Sequence, residues 1–316
     1  MISILRYIDL DFLLEFETPA FFDIYPSFAL RSVLGKWLRE MHCVCRGDRC
    51  LECPFKKTCA FAFILETPIE KHSESLRGRD RASHPFRIIG SGLPGQTAKS
   101  LSFRIQLIGK GTDFVPHVVF AFREAGKAGL FRQRAKYRIA NIMYNGQDIL
   151  AGDRIRTASL VNQDASIDDS LVTQENRSLK IVCNTPLRFK TRGNYSSDFQ
   201  AGDFLEACVR RARMLTEFFG EPDISTGGKG SKAGPPPLSN VNLLDRRLRW
   251  VEYVHWSARQ KTRMMLGGYV GGFSVHGTAP AFHWQALSMC GPLGAGKSTS
   301  FGFGDISICD RPESGG

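Results

Sequence analysis

The order of strand-like and helix-like stretches limits this chain most, because the same order occurs twice. Residues 6–16 alternate: Ile8, Leu10, Phe12, Leu14 and Phe16 fall on one side and Asp9, Asp11 and Glu15 on the other, the period-2 pattern of a half-buried strand. From Leu30 the apolar positions Leu30, Val33, Leu34, Trp37, Leu38 and Met41 follow the series of a helix buried on one face, with Pro26 and Ser27 as its start signal. Leu101, Phe103, Ile105 and Leu107 alternate as another strand. Phe114 to Ala125 reads as a second helix, stopped by Gly126 and Gly129, and a strand follows near Tyr137 to Met143. The second half repeats this: strand at Leu179 to Lys190, amphipathic helix at Phe204 to Phe219, strands at Arg249 to Trp256 and Gly267 to Val275, short helix at Ala281 to Cys290, last strand at Asp305 to Ile308. Two β-α-β-β-α-β units in tandem predict an α+β chain of two ferredoxin-like (RRM-like) domains, each a four-stranded antiparallel sheet with helices on one face. Residues 1–151 form the first domain, with a Cys-rich insertion at 43–59. The polar stretch 152–178 connects it to a second domain at 179–316, whose Gly- and Pro-rich segment Ser225 to Pro237 is expected to be a mobile basic loop.

The 316 residues are 42% apolar, enough for two cores, and carry 42 Lys and Arg against 31 Asp and Glu, a net charge of +11. That balance, with arginines clustered at Arg210-Arg-Ala-Arg213 and Arg246-Arg-Leu-Arg249, favours a polyanion such as nucleic acid over a membrane or an acidic metabolite. Asp9 and Asp11 interrupt the apolar N-terminus, so it is expected to be neither a signal peptide nor a membrane span. Nine cysteines without a secretory signal point to a reducing, cytoplasmic setting.

Five of those cysteines, Cys43, Cys45, Cys50, Cys53 and Cys59, lie close together after the first helix. Cys45, Cys50, Cys53 and Cys59 suggest a structural zinc site closed to water, with Cys43 or His42 as the spare ligand; an iron–sulfur cluster suits the same thiolates. Cys183, Cys208, Cys290 and Cys309 read as core residues.

Near the C-terminus, GPLGAGKSTSFGFG (Gly291 to Gly304) begins with the G-x-x-x-x-G-K-[ST] pattern of a nucleotide-binding phosphate loop. Such a loop needs a strand before it and a helix after it, so that helix amides and dipole face the phosphates. Here a helical pattern precedes Gly291, glycines 302 and 304 break any helix beyond Ser298, and only 18 residues follow. A nucleotide is therefore not expected. A glycine turn between the last helix and last strand, with Lys297, still favours an anion, and an RNA backbone satisfies it.

The turn Gly294-x-Gly296-Lys297-x-x-x-x-Gly302-x-Gly304, following Thr185-Pro-Leu-Arg188, Ser257-x-Arg259-Gln260 and Leu266-Gly-Gly-Tyr-Val-Gly271 in order, resembles the signature of the RAMP superfamily, specifically its CRISPR pre-crRNA-processing endoribonucleases. The resemblance covers about residues 180–310, and the first half is similar in layout. It implies metal-independent cleavage of CRISPR repeat RNA, with no catalytic cofactor. A base frees a 2′-hydroxyl to attack the adjacent phosphate, leaving 2′,3′-cyclic phosphate and 5′-hydroxyl ends, and the crRNA is retained among other effector subunits. The alternative it allows is a non-catalytic RAMP subunit that only binds RNA.

By the same resemblance Tyr25 and His42 are the expected proton-transfer residues, at the start and end of the first helix. Arg31 and Arg39 share a helix face with His42 and are the cations expected at the phosphate. His84 and His255 stand in reserve, and His117 and His283 are expected to be structural. Gly294, Gly296, Lys297, Ser298, Gly302, Gly304, Arg210, Arg213 and Arg259 are the expected RNA contacts, with Arg211, Lys229 and Lys232 adding basic surface.

Overall fold

The computed structural model describes residues 2–45, 50–68, 82–152, 154–157, 160–168, 173–195, 198–222, 238, 240–257 and 262–310. They divide into two compact units. The N-terminal unit comprises residues 6–164 together with Ser300–Gly302, and the C-terminal unit the remainder.

In the N-terminal unit the order is β1 (Ile2–Phe21), α1 (Pro26–His42), β2 (Phe86–Gly90), β3 (Thr97–Ile108), α2 (Val115–Ala128) and β4 (Tyr137–Tyr144). The strands pair antiparallel in the order β2-β3-β1-β4, with Leu10 opposite Ile105 and Phe12 opposite both Phe103 and Ile142. Alternation in β1 puts Ile8, Leu10, Phe12, Leu14 and Phe16 into the core, where Phe12 stacks on Phe103 at 4.8 Å and meets Phe122 of α2 at 5.5 Å. Helix α1 covers this layer with Leu30, Leu34 and Leu38, all fully buried, each worth about 1.5–3 kcal/mol of transfer free energy. The opposite face of β1 is polar: Asp9 accepts from Gln106 at 2.9 Å, and Asp11 takes both Nε and Nη2 of Arg104, an exposed pair worth about 1 kcal/mol or less.

The C-terminal unit contains β5 (Gln174–Leu187), α3 (Ala201–Phe219), β6 (Val241–Ser257), β7 (Thr262–Pro280), α4 (Ala281–Leu293) and β8 (Ile306–Asp310), again antiparallel, in the order β6-β7-β5-β8. Helix α3 opens with a reciprocal cap between Gln200 and Asp203, then buries Phe204, Leu205, Cys208, Val209 and Leu215; Phe204 meets Phe273 of β7 edge-on at 5.0 Å. Helix α4 is apolar around most of its circumference. Trp284 is 1% exposed and donates to the Glu175 carbonyl, and His283 is fully buried beside Glu206.

The two sheets therefore have the ferredoxin-like order expected from the sequence. The hairpin strands β6 and β7 run well beyond the predicted stretches. The stretch expected to be a bare connection contains short strands at Arg154–Ile155 and Gln163–Asp168. Cys183, Cys208 and Cys290 are buried, but Cys309 is exposed, because β8 is an edge strand whose outer face it occupies. No helix among the described residues is long and apolar enough to cross a membrane.

Candidate functional site

Helix α1 carries four of the expected functional side chains, and the structure separates them. Tyr25, at the N-cap, is 3% exposed and packs edge-on against Phe28 at 5.3 Å, so its ring belongs to the core. Arg31 is engaged inside the N-terminal unit: Nη2 lies 3.0 Å from Nε2 of His84, Nε 3.4 Å from Oγ of Ser300, and the guanidinium lies 4.2 Å over the Phe301 ring. Arginine only donates, so Nε2 of His84 accepts and its Nδ1 carries the hydrogen. Nδ1 faces Oγ1 of Thr67 at 3.5 Å, and that hydroxyl donates to the Ala82 carbonyl. Burial lowers the Arg31 pKa, partly offset by the Glu66 carboxylate. Arg31 and His84 thus hold the segment Ser300–Phe301 in place.

At the other end of α1 the side chains are less buried. Arg39 is exposed, with its guanidinium 6.0 Å from the Phe61 ring. His42 is half-buried in the last turn, its ring centroid 4.7 Å from that of His117 in the first turn of α2. Neither imidazole has a hydrogen-bond partner among the described residues, and Nδ1 of His117 is buried without one. Burial, and then the neighbouring His117, lower the His42 pKa, so the ring is neutral at pH 7. Sequence reading assigned His117 to structure; no spacing signal links position 117 to position 42, and only the packing of α2 on α1 brings them together. His255 lies half-buried in β6, opposite Met264.

In the glycine turn every marked glycine has a geometric reason. Gly296 and Gly304 both have φ +74°, and a Cβ there would lie 2.3 Å from the Arg188 carbonyl oxygen and 2.0 Å from that of Ala295. Gly302, at φ +86°, would place a Cβ 2.4 Å from Oγ of Ser27 and 2.7 Å from the Ile88 carbonyl. Gly294 turns the chain out of α4 at φ +77°, and Ser298 adopts a left-handed φ of +62° that a non-glycine residue takes only under constraint. Several amides of the turn are used within the protein. Ala295, Lys297, Phe303 and Gly304 donate their N–H groups to the carbonyls of Gly304, Arg188, Ser298 and Pro186, because the turn is laced to β5 and to itself. The glycines serve that internal close approach. The turn leaves α4, passes through a short 3-10 segment and enters an antiparallel strand, the reverse of a nucleotide phosphate loop.

The four cysteines expected to hold zinc stand near one another in two different settings. Cys45 and Cys53 lie with sulfurs 3.7 Å apart at the surface, whereas Cys50 and Cys59 pack against the core and Cys59 faces the His42 carbonyl. Among the described residues no three cysteine, histidine or acidic side chains converge to hold a metal.

On α3, Arg210 is exposed near Glu206 at 3.9 Å, and Arg213 lies 5.7 Å from the Phe282 ring. Arg211, expected at the basic surface, is 2% exposed and donates to the Leu293 carbonyl at the end of α4, where a cation offsets the helix dipole. Arg259, Lys229 and Lys232 lie outside the described residues.

Comparison with known proteins agrees with this architecture. The family model of the CRISPR-associated endoribonuclease Cas6 matches residues 181–306, and a second family model, described as an N-terminal domain, matches residues 5–164. Comparison with curated protein sequences finds no match. Among solved structures, a Thermus thermophilus Cas6 product complex is similar at 14% identity over 96% of this chain and 99% of that one, with a TM-score of 0.51. A partial Cas6-RT-Cas1–Cas2 complex is similar at 11% identity over 98% of this chain and 47% of that one, with a TM-score of 0.50. At these identities the likeness is one of fold. The Cas6 match lies on the second of two paired β-α-β-β-α-β units, the one that closes with the glycine turn, so residues 181–306 belong to the Cas6 family of CRISPR-associated endoribonucleases, behind a separately matched N-terminal domain.

Proposed function

We propose that the protein cuts CRISPR repeat RNA through its 2′-hydroxyl, with His42 as the proton acceptor. The observation that carries this reading is the state of His42: a half-buried imidazole at the end of α1, neutral at pH 7 and without a hydrogen-bond partner among the described residues. A neutral ring removes the 2′-hydroxyl proton as that oxygen attacks the adjacent phosphorus. The P–O5′ bond breaks, and the departing oxygen takes a proton from solvent, leaving 2′,3′-cyclic phosphate and 5′-hydroxyl ends. Because the nucleophile belongs to the substrate, the step needs proton transfer and charge at the phosphorane and no metal ion. Arg39, exposed one turn before His42, supplies that charge; Tyr25, in the core, has no part.

The net charge of +11, with Lys297, Arg210 and Arg213, supports binding of the RNA backbone near the glycine turn. A structural neighbour is a complex of Cas6 with Cas1 and Cas2. We extend to this chain only the general part: that it keeps its product and works beside other CRISPR subunits. Incubating the cognate repeat with the protein in EDTA tests the reading. One cut with a cyclic-phosphate end is expected, and tight binding without cleavage would leave only an RNA scaffold.

A further inference from the structure

We propose that the open face of the C-terminal sheet carries a subsite for one nucleotide of single-stranded RNA, held by Lys180 and Arg247. A hollow of about 500 Å³ lies there, within the size range of small-ligand sites. Its origin is local. The pairing of β6 with β7 shifts between Leu244 and Arg247, and Asp245 in the bulge takes a left-handed φ of +49° while its carboxylate accepts from Oγ of Ser274 at 3.2 Å. Val182, Gly272 and Arg247 form one row across β5, β7 and β6, and Lys180 is paired with Ser274 in the next row on that face.

Gly272 is the informative residue. Its backbone is not left-handed, and a Cβ there would meet only the Ile181 carbonyl oxygen, at 3.1 Å, so the fold tolerates a side chain with a small adjustment. A central strand gains from a β-branched residue at such a position, yet this one is bare, and the gap forms the floor of the hollow. Around it stand two cations: Lys180 and Arg247 are both exposed, and neither side chain makes a hydrogen bond or ion pair among the described residues. A flat peptide floor with an apolar wall at Val182 accepts a base or ribose, and two unpaired cations beside it accept a phosphate. A duplex cannot present a single base to a hollow of this kind, whereas a single strand can.

This inference rests on the reading that the protein handles RNA. The test is fluorescence anisotropy with a labelled single-stranded octaribonucleotide lacking any hairpin, using the full chain. Lys180→Glu and Arg247→Glu, both at the surface, should each weaken binding about tenfold and lower the slope of log K against log salt by about 0.7, with the melting temperature unchanged. Gly272→Val should weaken binding similarly by filling the floor. Wild-type affinity in both charge reversals would overturn the subsite, as would full displacement of the octamer by AMP, which would make the hollow a site for free nucleotide. Cleavage of the hairpin repeat by the wild type is scored separately: its absence counts against the proposed function, while loss of octamer binding in the two variants would still support the subsite.

Discussion

The two ends of helix α1 carry similar residues and do different things. At its start Tyr25, Ser27 and Arg31 are built into the N-terminal unit, the tyrosine in the core, the serine accepting from the Gly90 amide, the arginine bridging His84, Ser300 and Phe301. At its end Arg39 is exposed and the His42 ring meets that of His117. A helical repeat assigns residues to a face, but depth along the helix is set by what other segments lay over it. Here His84, Ser300 and Phe301 engage the first turns, so an arginine near the start anchors structure, while the histidine at the end makes no side-chain hydrogen bond among the described residues.

The largest effect that bears on this difference is expected from His42→Ala. Single-turnover cleavage should fall by about 10²–10⁴-fold with RNA affinity and melting temperature nearly unchanged. If melting temperature dropped and the rate did not, this end would be structural too. Next is Gly302→Ala, which forces a methyl onto Ser27 at a left-handed φ; thermal unfolding should show a loss of about 2–4 kcal/mol. Arg31→Ala should cost about 1–3 kcal/mol of stability and weaken RNA binding more than it slows the bound-state cut. Arg31→Lys should not restore it, because an ammonium cannot reach His84 and Ser300 at once.

A smaller signal is the pH response. The His42 pKa is lowered in the folded chain, so below the ordinary histidine value of 6.5 the unfolded chain binds more protons. Stability contributed by the neutral ring is present above that pH and lost as pH falls through it. The acid limb of the kcat/KM profile should accordingly lie below 6.5, and His42→Ala should remove the stability dependence in that window. The smallest effect is expected at exposed Cys45: Cys45→Ser should change unfolding free energy by about 0.5 kcal/mol or less. A large loss there would mean that the thiols act together.

Much of the architecture was legible because it is written locally. Alternation in β1 and the i, i+3, i+4 series in α1 and α3 each reflect one element facing one core, and that determined the ferredoxin-like order of both sheets. The glycine pattern at 294–304 also marked a turn correctly, since left-handed φ values at Gly294, Gly296, Gly302 and Gly304 are a local requirement. What the glycines approach was not legible. The carbonyls of Arg188 and Ala295 and the side chain of Ser27 are brought to them by the fold, from as far as 275 positions away along the chain. Whether four sulfurs converge depends likewise on where the chain turns after Cys43, which spacing does not encode.

By itself the sequence determined the periodic elements, their twofold order, the basic charge and the turn that closes the second unit, because each depends on neighbours a few residues apart. Only the tertiary structure decided that Tyr25 and Arg31 are held inside, that His42 meets His117, and that a hollow opens over Gly272. These depend on contacts between residues distant in the chain, where burial and pairing, and not residue type, set what a side chain is free to do.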